Sequence, residues 1–84
     1  MTAETPNLTL YTTTWCPFCH RLKAGLERNK VEFTEIDIEA NPEAAEFVGS
    51  VNGGNHVVPT VQYGDGSTAT NPAVGEVMAK LGLL

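Results

Sequence analysis

Cys16 and Cys19 are the only cysteines of the chain, two residues apart in Trp15-Cys16-Pro17-Phe18-Cys19. Thiols at that spacing can supply half of a metal site or exchange disulfides with another molecule. Pro17 narrows the choice. Proline is favoured at the first position of a helix, where its missing N–H would have been an orphan anyway. Cys16 is therefore expected at the N-cap, exposed, with unpaired N–H groups and the positive end of the helix dipole aimed at its sulfur. A thiolate is an anion, and such a seat favours it. For thiols in general, a fall of ~2 units from a pKa of ~8.5 raises the thiolate fraction at pH 7 about 25-fold. Intrinsic nucleophilicity drops about eightfold over the same range, so attack gains only about threefold. Departure gains more, because a more acidic thiol leaves faster. Cys16 is thus suited to enter a mixed disulfide and to be released from it, which is redox chemistry.

The elements that must hold this pair follow from periodicity and turn chemistry. Leu8-Thr9-Leu10-Tyr11 reads as a strand leading into the motif. Pro17 to Asn29 reads as a helix with Cys19, Leu22 and Leu26 on one face. Val31 to Ile38 is a second strand whose alternation slips at Glu35, so that Val31 and Phe33 face away from Ile36 and Ile38. Asn41-Pro42-Glu43 starts a helix with Ala44, Phe47, Val48 and Val51 as its buried stripe, and Asn52-Gly53-Gly54-Asn55 stops it. Val57 to Tyr63 is a third strand with Pro59 confined to its start or edge. Asp65-Gly66 signals a two-residue hairpin to a short strand at Ser67 to Ala69. Asn71-Pro72 repeats the cap-plus-proline device before a helix that buries Val74, Val77, Met78 and Leu81. The order is β-α-β-α-β-β-α. A right-handed parallel crossover and an antiparallel hairpin together require an α/β fold, a mixed four-stranded sheet flanked by three helices.

Eighty-four residues with 42 % apolar content support one small domain, residues 1–84, with 1–7 expected to be a flexible tail. Met1 to Asn7 has neither the basic region nor the apolar core of a signal peptide, and no apolar run approaches a membrane span. A cytoplasmic protein is expected, where persistent disulfides are rare and Cys-x-x-Cys is catalytic or metal-binding. The net charge of −5 argues against nucleic-acid or anionic-membrane partners. Arg21, Lys23, Arg28 and Lys30 cluster on or just after the first helix, as a solvated face would have them.

Trp-Cys-Pro-Phe-Cys after the first strand and Val58-Pro59 opening the third resemble a thioredoxin fold of the glutaredoxin type. Ala45 to Asn55, Val58-Pro59-Thr60-Val61, Asp65-Gly66-Ser67 and Thr70-Asn71-Pro72 closely resemble the mycoredoxins. These are glutaredoxin-like proteins of bacteria whose low-molecular-weight thiol is mycothiol, and the likeness runs from Leu8 onward. It implies a cis Pro59 facing the cysteines and a Val58 backbone that pairs with the substrate's extended chain. It implies, too, reduction of mixed disulfides between proteins and mycothiol. Cys16 attacks, Cys19 is buried with a raised pKa and resolves optionally, and a mycothiol disulfide reductase recycles the product. Mycothiol enters as co-substrate, no cofactor is bound, and the protein acts as a monomer. Trp15, Pro17 and Phe18 would form an apolar platform for the target, although Trp15 also suits a partly buried core position. His20 and His56 read as ordinary surface residues.

Two departures from ordinary glutaredoxins bear on the thiol. Those proteins usually carry a lysine, which binds a glutathione carboxylate, where this chain has Thr13, and a Gly-Gly-x-Asp-Asp run where it has Thr68-Ala69-Thr70-Asn71-Pro72. Neutral Thr13, Thr70 and Asn71 suit the uncharged pseudodisaccharide of mycothiol, while helix capping alone is the plainer reading of the last two. Three rivals stand beside this reading: a dithiol redoxin reduced directly by a flavoenzyme, a zinc or iron–sulfur module, and a non-catalytic adapter.

Overall fold

Apolar alternation at the start of the chain places Leu8 and Leu10 on one side of strand β1 (Leu8–Thr12) and Tyr11 on the other. Both sides are covered, which makes β1 the buried centre of the sheet. The computed structural model describes residues 8–83; the expected tail, 1–7, lies outside the described residues. After β1 come α1 (Pro17–Arg28), β2 (Thr34–Asp37), α2 (Pro42–Val51), β3 (Thr60–Tyr63), β4 (Thr68–Thr70) and α3 (Val74–Lys80), in the order the sequence predicts. The strands lie β2-β1-β3-β4. β1 runs parallel to β2 and antiparallel to β3, and β4 is antiparallel to β3.

Helices cover both faces. Leu22 and Leu26 of α1 and Val77 of α3 meet Leu8, Leu10, Val31, Val61 and Tyr63. On the opposite face Ala44 and Val48 of α2 meet Tyr11 and Ile38. Val31 and Phe33 belong to the first cluster and Ile36 and Ile38 to the second, as the slip at Glu35 predicts.

Four local expectations are corrected. β2 starts at Thr34, not Val31, because Lys30 turns with φ 59° and the Val31 N–H returns to the Leu26 carbonyl at 2.9 Å. Val31 is thus tied to the end of α1, and residues 31–33 form an irregular connection before the chain joins the ladder opposite Thr9. Val51 is exposed: the last turn of α2 is approached by the returning loop, whose His56 ring would lie 3.3 Å from a Cβ on Gly49. The hairpin loop has three residues. Gly66 N–H bonds the Tyr63 carbonyl at 2.9 Å and Tyr63 N–H the Ser67 carbonyl at 2.8 Å, with Gly66 at φ 90°. Finally, α3 is capped at Ala73, whose N–H donates to Glu76 Oε1 at 2.7 Å, while Asn71 takes φ 50° to turn the chain.

α1 and α3 touch through a glycine. A Cβ on Gly25 would collide with Val74 Cγ2 and stand 3.4 Å from Val74 Cβ and Cγ1. Overpacking costs about 1–3 kcal/mol, against a helix-propensity gain of at most about 1 kcal/mol. Gly25→Ala is therefore expected to lower stability by about 1–2 kcal/mol in a urea titration.

Candidate functional site

The site starts where β1 ends. Cys16 caps α1 with extended backbone, φ −86° and ψ 112°, and its Sγ accepts the Cys19 N–H at 3.1 Å. A sulfur thus does what a Ser or Asp oxygen does at most helix starts. Its S–H points to the Val58 carbonyl, 3.8 Å away.

Cys16 is only 2 % exposed, contrary to the exposed position expected of it. The capping geometry explains this: a side chain that bonds the first turn must fold back over it, and the Val58-Pro59 loop then crosses beside the sulfur. The neighbours form a rim instead, with Trp15 64 % and Phe18 53 % exposed and Pro17 also at the surface. Trp15 is therefore not a core aromatic. Cys19 lies one turn further on, fully buried against the sheet. Burial, together with the hydrogen bond and charge of the Cys16 sulfur, pushes its thiol up to about 12. The Thr13 backbone and Lys23 act in the opposite direction without prevailing.

The Val58–Pro59 bond is cis, as the resemblance implies. Pro59 is buried, and its carbonyl accepts the Asn71 N–H at 2.7 Å, so the turn before α3 is bonded to the loop beside Cys16. Asn71 and Thr70 are both exposed. A hollow of about 400 Å³ runs from Phe18 and Arg21 to Asn71, Pro72 and Ala73. The Arg21 guanidinium stacks on Phe18 at 5.7 Å. Thr13 differs from the rest: it is 3 % exposed and its hydroxyl has no partner, so it does not stand on the surface of this groove. His20 is exposed with Nε2 2.9 Å from the Thr14 carbonyl, and His56 lies over α2 beside Pro42 and Glu46.

Asn52 carries a role that its place in a helix-stop signal conceals. Its Nδ2 donates to the Val48 carbonyl at 2.9 Å and to Thr60 Oγ1 at 3.2 Å, and its Oδ1 accepts from Thr70 Oγ1 at 2.6 Å. Thr60 Oγ1 in turn donates to the Val57 carbonyl at 2.7 Å. One amide thus ties the end of α2 to the cis-proline loop and to β4. Removing it leaves the buried Thr60 hydroxyl short of a donor, so Asn52→Ala is expected to cost about 1–3 kcal/mol. Chemical denaturation measures that loss.

A thiol that accepts a backbone N–H at a helix start, beside a second thiol one turn on, is arranged for thiol–disulfide exchange. Among the described residues, no three His, Cys, Asp or Glu side chains converge as metal ligands would. The glutaredoxin family model matches residues 8–67. A protein of Mycobacterium tuberculosis provisionally named a glutaredoxin is 61 % identical over 92 % of both chains. Mycoredoxin 1 of Corynebacterium glutamicum is 51 % identical over 89 % of this chain and 92 % of its own. The crystal structure of a glutaredoxin from Archaeoglobus fulgidus superposes with a TM-score of 0.73 at 26 % identity, covering 90 % of this chain and 86 % of the other.

Proposed function

The chain belongs to the glutaredoxin family and is a thiol–disulfide oxidoreductase, and from that premise we propose that it reduces mixed disulfides between proteins and mycothiol, as a cytoplasmic monomer, mainly through Cys16 with Cys19 as an optional resolving thiol. The Cys16 thiolate attacks the mycothiol sulfur of the mixed disulfide. A Cys16–mycothiol bond forms, the protein–mycothiol bond breaks, and the client cysteine leaves as a thiolate that takes up a proton. A second mycothiol, as its thiolate, then attacks the mycothiol sulfur on Cys16. Mycothiol disulfide departs for its reductase, and the Cys16 thiolate is restored. No electrons are left over in either exchange.

The unequal seating of the two sulfurs carries the single-cysteine reading. Both sulfurs are buried, but Cys16 accepts an N–H at a helix start beside an exposed aromatic rim, whereas Cys19 sits one turn deeper with its thiol pushed up to about 12. Attack by Cys19 on a mycothiolated Cys16, giving the Cys16–Cys19 disulfide and free mycothiol, is then the slower route, because the thiolate is the attacking species. The Val58 backbone aligns the client strand beside Pro59, and Trp15, Pro17 and Phe18 form the platform on which its side chains rest.

Two observations support mycothiol over glutathione: the likeness to Mycoredoxin 1 and the lack of a cation or carboxylate at the neutral positions Thr13, Thr70 and Asn71. With Thr13 enclosed, Thr70 and Asn71 are the groups left to meet sugar hydroxyls. The test compares one client protein carrying either mycothiol or glutathione, each with its own reductase system. The mycothiol form is expected to be reduced at least about tenfold faster, the equivalent of about 1.4 kcal/mol. Equal rates, or a preference for glutathione, would overturn the assignment.

A further inference from the structure

We propose that Trp15 and Glu39 together form a receptor for a basic side chain, lysine or arginine, that neighbours the modified cysteine of the client protein. This rests on the reading above, in which the client offers a mixed disulfide to Cys16.

Trp15 is the residue before Cys16 and is 64 % exposed. A ring that free at the surface would ordinarily be left to swing, but its Nε1–H donates to Glu39 Oε2 at 2.9 Å. The backbone that carries Glu39 is fixed. Its N–H donates to Asp37 Oδ1 at 2.8 Å, and the adjacent Ile38 N–H donates to the Thr12 carbonyl at 3.0 Å, at the end of the strand that leads to Cys16. Glu39 belongs to neither of the ion pairs found among the described residues, Lys23–Glu35 and Lys80–Asp65. The tether uses the edge of the indole and leaves its face to solvent, with a carboxylate at the rim. A cation laid on that face meets the ring's negative quadrupole and the carboxylate at once. Guanidinium and ammonium groups are the side chains that fit both.

The chemistry of clients supplies the occupant. Cysteines that become capped by small thiols are those with thiolate character and exposure. That character comes chiefly from a nearby Lys, Arg or protonated His, or from a helix N-terminus. The cation that made a client cysteine reactive therefore often travels with the disulfide that this protein must open. When the client strand lies along Val58 and its sulfur reaches Cys16, a neighbouring cation comes within reach of the residue adjoining Cys16. On the other side of the thiol, Phe18 is already stacked by Arg21, so the two flanks differ in charge.

The experiment uses two peptides, each joined to mycothiol through one central cysteine and differing only in whether the adjoining residue is arginine or glutamine. Wild type is expected to show a kcat/KM roughly fivefold higher for the arginine peptide, which is the combined scale of an exposed cation–π contact and an exposed ion pair. Glu39→Gln keeps an acceptor for the indole but loses the charge, so the ratio falls by about half or more; Glu39→Lys brings it to one or below. Raising the salt shrinks the wild-type ratio. Trp15 is the only tryptophan, so its fluorescence reports the arginine peptide's approach directly. Equal wild-type values for the two peptides, faster reaction with the glutamine peptide, or a preference that Glu39→Lys leaves intact would overturn the proposal. If neither mycothiol peptide is turned over, it is the mycothiol assignment that fails. The same peptide pair joined to 2-mercaptoethanol then tests the receptor on its own.

Discussion

Replacing Cys16 by serine is expected to lower disulfide exchange by about a thousandfold or more, the scale seen when a catalytic nucleophile is removed. Replacing Cys19 by serine or alanine is expected to leave the rate within a few-fold of wild type. The first variant is unusually clean. Cys16 Sγ caps α1 by accepting the Cys19 N–H at 3.1 Å, and serine is a better N-cap than cysteine. The helix start is thus preserved or reinforced while the nucleophile is lost, so a denaturation midpoint at or above wild type accompanies the inactivity. Cys19 differs because its side chain is fully enclosed. Serine there buries a hydroxyl in place of a weakly polar thiol and lowers stability by about 1–3 kcal/mol, and alanine checks that any rate change is not partial unfolding. Initial rates on one mixed disulfide, with the three variants side by side, decide the matter. Activity that disappears with Cys19 as completely as with Cys16 would support the dithiol redoxin instead.

Which parts of this site were legible in the sequence depends on how far apart the interacting residues stand. The N-cap at Cys16 was readable because its cause lies within four residues: proline at the first helical position and the thiol just before it. The two-sided burial around β2 was readable because side-chain direction alternates along extended chain, so Val31 and Phe33, at odd spacing from Ile36 and Ile38, go to different faces. The resemblance, not local pattern, supplied the cis Val58–Pro59 bond. Asn71-Pro72 misled because it has the form of a cap, but Asn71 is turned to φ 50° where its N–H reaches Pro59. A tertiary bond displaced the helix start by two residues.

What escaped the sequence entirely are contacts between distant positions. Cys16 loses its exposure to a loop 42 residues away, Trp15 finds its acceptor 24 residues on, and Thr70 bonds Asn52 across 18. No propensity or periodicity encodes such pairs, because each residue's local pattern is equally consistent with solvent. Thr13 is the opposite case. Its position in the motif drew attention as a surface contact, yet the turn from β1 into α1 encloses it with its hydroxyl unpaired. Position relative to a motif fixes the backbone path but not which way a side chain is aimed.

The enclosure of Cys19 has a consequence for stability that can be worked through. In the unfolded chain its pKa is about 8.5, and in the folded protein burial and the neighbouring sulfur push it up to about 12. The folded state therefore holds this proton more tightly. Its contribution is complete below the unfolded pKa of ~8.5 and is lost as pH rises towards the folded value, since only the unfolded chain then gains by ionising. The loss amounts to about 1.4 kcal/mol per pH unit, or about 2 kcal/mol by pH 10. Tyr11 and Tyr63, both raised by burial, add to it above their ordinary range. Urea titrations at a series of pH values should show stability falling from about pH 8.5 upward, and Cys19→Ala should flatten the part of the slope below pH 10. An equal slope in the variant would mean that Cys19 ionises in the fold as it does in solution. The same protonation separates the two thiols chemically. At pH 8 a thiol titrating near 12 is ionised to only about one part in ten thousand. Iodoacetamide is accordingly expected to label Cys16 alone in the folded protein and both cysteines in urea, with mass spectrometry counting the adducts. Rapid double labelling of the native form would refute both the protonated Cys19 and the single-cysteine route that depends on it.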